Sequence, residues 1–198
     1  MVMAGKKQMA IPKMKDLRWK TLSSKYLFTD DWLTLRADTC ETPQGKRIEP
    51  YYVYEFPDWV MAVALTSDGK FVLERQYRHA LGVTSIELPG GCVDKTDISL
   101  EAALRRELLE ETGYVFGPVE FLGKVCANPA TNSNWAHLYL AREGRLEKPQ
   151  ELDSGEEIEV CLYSYRELKE LLANNGVTQS MHMAAFFYAF QRLGYFQL

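Results

Sequence analysis

Three glutamates in the middle of the chain, Glu107, Glu110 and Glu111, have the spacing of neighbours on one helix face. Like charges at this spacing destabilise a solvated helix by roughly 0.2–0.5 kcal/mol per pair. We expect Arg106 to reach Glu110 only, so most of the repulsion would persist. The pattern therefore has two interpretations, a solvated acidic face or a set of carboxylates that binds a cation.

The residues ahead of the glutamates favour the cation. Pro89, Gly90 and Gly91 form a short loop whose glycines let the backbone approach another group closely and turn carbonyl groups toward it. Carboxylate and carbonyl oxygens together make an all-oxygen site, which suits hard cations. The sequence therefore predicts a site for Mg²⁺, with Mn²⁺ as the alternative.

A helix must position these carboxylates. Leu100, Leu104 and Leu108 recur at every fourth residue, which indicates a buried apolar stripe. Ser99 is suited to cap the start of this helix, and Gly113 is suited to end it.

The other elements alternate between strands and helices. Two runs at 59–66 and 70–78 are joined through Asp68-Gly69, which predicts a hairpin. Further strands are predicted within 17–56 and at 85–88, 119–126, 135–143 and 157–164, with helices at 165–176 and 179–195. We expect one mixed α/β domain at 57–198, an antiparallel strand region at 17–56, and a flexible N-terminus at 1–16.

Composition limits the partners and the compartment. The net charge of −4 argues against a nucleic-acid backbone as the main partner. The four cysteines are scattered and form no Cys-x-x-Cys pair, so the sequence suggests neither a disulfide framework nor a zinc site. A reducing cytoplasm fits this pattern. No apolar run approaches the roughly 20 residues of a membrane helix. We therefore expect a cytoplasmic protein without a membrane partner.

The run from Arg106 to Tyr114, RELLEETGY, resembles the second half of the Nudix hydrolase box, G-x5-E-x7-R-E-U-x-E-E-x-G-U, where U is apolar. The first half differs, because Gly91 lies one residue too far from Arg106 and the first glutamate of the box falls on Asp97 or Ile98. We place the extra residue in the loop, with Asp97 as the substitute that braces it. The resemblance implies a Nudix α/β/α sandwich with a mixed sheet between helices.

The same resemblance implies roles for the residues of the box. Glu107, Glu110 and Glu111 would hold the metal, and the carbonyl of Gly90 would be an additional ligand. The implied reaction is hydrolysis of a nucleoside diphosphate linked to another group. Its general base would be a glutamate of the box, such as Glu111, or one on a later loop.

On the later loop, Glu156 is the first candidate for the base and Glu157 the second, with a solvated acidic turn as the alternative. The run LERQYRHALGVTSIELPGG resembles the ADP-ribose and nucleoside-diphosphate-sugar branch of the family. This likeness assigns a substrate phosphate to Arg78, for which a surface charge at the strand end is the alternative, and an acidic site position to Glu87. It also suggests that Pro129 lies near the substrate, with an ordinary turn proline as the alternative.

Members of this branch are typically homodimers that exchange N-terminal strands, and an aromatic residue there stacks on the base. Tyr26, Phe28 and Trp32 are the candidates, although sheet packing would explain each of them as well. His182, in the closing helix, is expected to be packed or solvated rather than catalytic. The leading substrate is ADP-ribose or a nucleoside diphosphate sugar. A hydrolase of another dinucleotide such as NADH, and a nucleotide-sugar sensor without turnover, are the alternatives.

Overall fold

The computed structural model describes residues 15–30 and 32–196. The predicted flexible terminus therefore lies outside the described residues, except for Lys15 and Asp16. The chain divides into two compact units, Met1–Tyr54 and Glu55–Leu198.

The first unit contains a three-stranded sheet in the order β1-β2-β3. Its strands are β1 (Lys20–Thr29), β2 (Thr34–Glu41) and β3 (Arg47–Glu55). β1 and β2 are antiparallel, and a turn in which Gly45 donates to the carbonyl of Thr42 joins β2 to β3. The predicted antiparallel N-terminal region is confirmed. β1 was not singled out from the sequence, because every one of its ten residues is exposed and none marks a buried face.

The second unit is built on a seven-stranded mixed sheet. Its strands are β4 (Trp59–Thr66), β5 (Phe71–Arg78), β6 (Val83–Glu87), β7 (Tyr114–Val115), β8 (Val119–Val125), β9 (Ala136–Leu146) and β10 (Ile158–Tyr163). The path β10-β5-β4-β9-β7 forms the body of the sheet, while β6 pairs with β5 and β8 with β9. The β4–β9 pair is parallel, and the predicted β4–β5 hairpin is antiparallel.

Helices cover both faces of this sheet. On one face α1 (Leu100–Thr112) buries Ala103, Leu104 and Leu108 against β4, β5 and β9. On the other face lie α2 (Tyr165–Ala173) and α3 (Ser180–Arg192), whose buried residues join a second apolar core. The predicted α/β/α sandwich is confirmed. Across the residues the structure describes, each helix is too short or too polar to cross a bilayer.

Both predicted ends of α1 are present. The Ser99 hydroxyl accepts from the backbone N–H of Ala102 at 3.1 Å, and the N–H of Gly113 donates to Leu109 at 3.0 Å. Gly113 has a φ of 73°, and a Cβ at this position would overlap the carbonyl oxygen of Lys148. Glycine is therefore required at this end of α1 for its conformation and for the space around it.

Gly113→Ala should lower the free energy of unfolding by about 1–3 kcal/mol more than Gly69→Ala. Both substitutions place alanine at a positive φ, but a Cβ at Gly69 meets no atom within 4 Å. Urea denaturation of the two variants and the wild type measures the difference. Equal losses would show that the segment at Lys148 moves aside without cost.

Candidate active site

The loop at Gly90 and Gly91 lies directly beneath two carboxylates of α1. The N–H of Gly90 donates to Oε2 of Glu111 at 2.8 Å. A Cβ on Gly91 would lie 2.6 Å from Oε1 of Glu107, and one on Gly90 would overlap the backbone of Val60. Two glycines are therefore needed for the loop to fit between α1 and β4.

The loop is held to β4 as if it continued the sheet. The N–H of Ala62 donates to the carbonyl of Pro89, and the N–H of Val60 donates to that of Gly91. The loop that contacts Glu107 and Glu111 is therefore anchored to β4, a strand whose residues are mostly buried.

Arg106 contacts more acidic side chains than the sequence predicted. Its guanidinium lies 3.0 Å from Glu110, 3.2 Å from Glu107 and 3.0 Å from Asp97. The expectation that it reaches Glu110 only was wrong. Helix spacing reveals only the i,i+4 partner, whereas the planar guanidinium carries five N–H donors that serve several acceptors in a folded loop.

Asp97 ties the loop to the helix. Its carboxylate accepts from the backbone N–H of Asp94 at 2.8 Å and from Arg106 at 3.0 Å. Arg106 also donates to the carbonyl of Cys92 at 3.1 Å. These contacts suit the bracing role that the resemblance implies for Asp97.

Burial disfavours the charged form of two α1 carboxylates, Glu107 and Glu111. Desolvation raises the pKa of Glu107 to about 7 despite the opposing charge of Arg106. Desolvation likewise raises the pKa of Glu111 to about 8, although the Gly90 hydrogen bond opposes it, and the charges of Glu107 and Glu156 add to the rise. Both groups would be stabilised as carboxylates by a nearby cation.

Of the two predicted loop glutamates, Glu156 is the one whose charge acts on Glu107 and Glu111. It is half-buried, and its charge raises the pKa of Glu107 and of Glu111. Its own side chain accepts from the N–H of Asp153 at 3.1 Å, which closes the turn. Glu157, the next residue, is exposed.

Arg78 and Glu87 form a two-pronged ion pair beside this cluster. The guanidinium donates to the two carboxylate oxygens at 2.9 and 2.7 Å. Burial alone would raise the pKa of Glu87, but the hydrogen bond and charge of Arg78 outweigh it and lower that pKa. About half of the Arg78 side chain stays exposed, so its charge can also meet a ligand.

Sequence reasoning missed Glu74, which lies on β5 directly across from Glu87 on β6. It is 4% exposed, and its Oε1 has no hydrogen-bond partner. Burial, followed by the charges of Glu111 and Glu87, raises its pKa well above the usual range. The sequence feature that could have indicated this residue is a glutamate placed directly after the apolar run of a central strand.

Asp58, another residue that the sequence reasoning did not single out, holds the start of β9, where the segment that carries Pro129 ends. One Asp58 oxygen accepts from the N–H of Trp135 at 2.9 Å, and the other lies 2.8 Å from Nε2 of His137. Pro129 itself is exposed. Tyr26, Phe28 and Trp32 are also exposed, in the N-terminal unit, and their predicted contact with a base stays a prediction.

The acidic residues fit a hard cation by their chemistry. Over residues 15–30 and 32–196, no three His, Cys, Asp or Glu side chains converge as closely as a preformed metal site requires. Yet the donors are all oxygens, Glu74 keeps an unpartnered buried oxygen, and Gly91 leaves the space that Glu107 fills. Such a set suits Mg²⁺ or Mn²⁺.

His182 of α3 supports the same loop from the opposite face of the sheet. Its Nδ1 accepts from the N–H of Leu88 at 3.1 Å, and the residue is 4% exposed. Burial lowers its pKa to about 4, against the opposing charge of Glu87. The imidazole is therefore neutral at pH 7 and packed, in keeping with its predicted non-catalytic role.

Comparison with known proteins gives two family matches. Residues 56–183 match the model described as the NUDIX domain, and residues 19–54 match the nucleoside diphosphate sugar hydrolase N-terminal domain. A solved structure described as an ADP compounds hydrolase superposes with a TM-score of 0.78 at 21% identity. That alignment covers 91% of this chain and 99% of the other, and it supports the fold.

Among curated relatives, the ADP-ribose pyrophosphatase of Bacillus subtilis is 31% identical over 165 residues, which is 83% of this chain and 88% of the relative. The ADP-ribose pyrophosphatase of Mycobacterium tuberculosis is 30% identical over 65% of this chain and 61% of its own length. The ADP-sugar pyrophosphatase of Mus musculus is 29% identical over 60% of this chain and 56% of its own length.

Acidification should destabilise the wild type more than His182→Gln. The folded protein keeps His182 neutral down to about pH 4, whereas an unfolded histidine binds a proton near pH 6.5. The unfolded state therefore binds more protons below pH 6.5, and the stability gained from the neutral imidazole is lost as the pH falls. The expected extra loss is about 2 kcal/mol between pH 7 and pH 5.

Urea denaturation at several pH values, with a chelator present, measures this difference. His79 is exposed, so His79→Gln should keep the pH dependence of the wild type. Parallel pH profiles for the wild type and His182→Gln would contradict the assignment of a buried neutral imidazole.

Proposed function

The chain belongs to the Nudix hydrolase family, and we propose that it hydrolyses the pyrophosphate bond of ADP-ribose or of a nucleoside diphosphate sugar. The reaction would depend on Mg²⁺ and would yield a nucleoside monophosphate and a sugar phosphate. The observation that carries this proposal is the pair of α1 carboxylates, the largely buried Glu107 and the buried Glu111, packed over Gly90 and Gly91, where desolvation disfavours the charged form of both.

Glu107, Glu110 and Glu111 would hold the metal, with the carbonyl of Gly90 as an additional ligand. A divalent cation bound there would offset the charge of the pyrophosphate oxygens and lower the pKa of an attacking water. The hydrogen bond from Gly90 to Glu111 and the contacts of Arg106 orient the carboxylates before any ligand arrives.

Arg78 would bind a phosphate oxygen of the substrate. Its guanidinium is fixed by Glu87 yet remains about half exposed, so it can keep the ion pair and donate to a ligand as well. An arginine held in this way loses less conformational freedom on binding than a free surface side chain would.

Glu156 would act as the general base. A glutamate that binds a metal directly is a poor proton acceptor, because the cation lowers its pKa and occupies its lone pairs. Glu156 lies on a turn and is half-buried, and its charge raises the pKa of Glu107 and of Glu111. Gly155 next to it would allow the loop to adjust around a substrate.

The N-terminal unit would join two copies into a homodimer. Its outer strand β1 exposes Leu22, Tyr26 and Phe28, and the matching family model is that of a nucleoside diphosphate sugar hydrolase N-terminal domain. A cytoplasmic location fits the scattered cysteines. Both statements stay predictions.

Product analysis over a panel of substrates tests the function. ADP-ribose, ADP-glucose, UDP-glucose, GDP-mannose, flavin dinucleotide and NADH would each be incubated with Mg²⁺. We expect hydrolysis of ADP-ribose or of a nucleotide sugar to exceed that of the other dinucleotides. Preferred cleavage of NADH would identify a different Nudix substrate. Hydrolysis of none of the substrates would favour a sensor without turnover.

Glu156→Gln should lower kcat by about 10²–10⁴-fold and change KM little, since proton transfer occurs only in the transition state. Glu157→Gln is the matched control on the adjacent exposed residue and should have a smaller effect. Steady-state kinetics on the best substrate of the panel measures both. If only Glu157→Gln is impaired, the base is Glu157, and if both variants are active, the base lies in the box.

A further inference from the structure

Glu74 is a buried carboxyl group, and one of its two oxygens has no hydrogen-bond partner among the residues that the structure describes. It lies on β5 beside the core residues Val72 and Leu73, and its Oε1 finds no donor. A buried polar oxygen without a hydrogen bond is costly, and a buried carboxylate is more so. A leucine or valine would pack at this position without that cost.

The charges around Glu74 do not supply the missing partner. The charges of Glu111, Glu87 and Glu156 all disfavour ionisation of Glu74, and Arg78 is the cation that acts in the opposite direction. The guanidinium of Arg78 already donates to the two oxygens of Glu87. The N–H of Gly90 is likewise already bonded to Glu111.

We propose that Glu74 is a further carboxylate ligand of the divalent-cation site to which Glu111 belongs. This inference rests on the proposed metal-dependent function and adds a ligand from the sheet to those from α1. A hard divalent ion is the partner that the unpaired oxygen fits, because it accepts several carboxylate oxygens at once. The same ion would reduce the repulsion between Glu74, Glu87 and Glu111.

Mn²⁺ binding without substrate tests this ligand independently of catalysis. Free Mn²⁺ would be followed by electron paramagnetic resonance as it is titrated into the wild type, Glu74→Gln and Glu111→Gln. Glu74→Gln should weaken Mn²⁺ binding at least about tenfold, or reduce the number of ions bound, and Glu111→Gln should do the same. Glu159→Gln is the control, since Glu159 lies exposed on β10 in a surface pair with Arg75.

Thermal unfolding provides a second measurement that requires no turnover. In a chelator, Glu74→Gln should melt at or above the wild-type temperature, because the amide cannot ionise in this buried position. Addition of Mn²⁺ should then raise its Tm less than that of the wild type. Should the buried amide prevent folding, Glu74→Leu removes the carboxylate while matching the apolar neighbours, and the same loss of Mn²⁺ binding is expected.

Wild-type Mn²⁺ affinity and stoichiometry in Glu74→Gln or Glu74→Leu, with weakened binding in Glu111→Gln, would overturn the proposal. The proposed function fails separately, if the wild type binds Mn²⁺ but hydrolyses nothing in the substrate panel. A wild type that binds no Mn²⁺ would overturn both.

Discussion

The second unit is organised around the burial of carboxylates that repel one another. Glu107 and Glu111 are brought from α1 onto a glycine loop, where desolvation raises the pKa of both groups. Burial of like charges opposes folding, so apolar packing elsewhere must hold α1 in place. The fully buried Leu104 and Leu108 do so, by packing against β4, β5 and β9 on the face opposite α3.

Two buried glutamates on neighbouring strands differ in whether a cation pairs with their carboxyl group. Glu87 and Glu74 face each other across β6 and β5, and both are almost fully buried. Glu87 receives both prongs of Arg78 and has a lowered pKa, as expected for a compensated carboxylate. Glu74 has no comparable partner and a raised pKa. A stable fold without a ligand would need the first arrangement only, so the second points toward a role in binding.

Local periodicity predicted those parts of the structure that depend on local interactions. The four-residue repeat of leucines, Ser99 and Gly113 gave α1 with both of its ends, since caps and stripes are properties of one element. β1 lacked such a signal because its side chains are all exposed. The reach of Arg106 and the position of Glu74 depend on how a loop and a strand meet α1 in space. Spacing along the chain carries no information about those contacts.

The Leu88–Gly91 loop shows why the site needs both helical layers. The N–H of Leu88 donates to His182 of α3, and the N–H of Gly90 donates to Glu111 of α1, two residues further along. The carbonyls of Pro89 and Gly91 accept from the N–H groups of Ala62 and Val60 on β4. The loop is thus held on one edge by the sheet and from its two faces by side chains of opposite layers. His182 of α3 and Glu111 of α1 therefore contact the same three residues of backbone, although the two helices lie on different faces of the sheet.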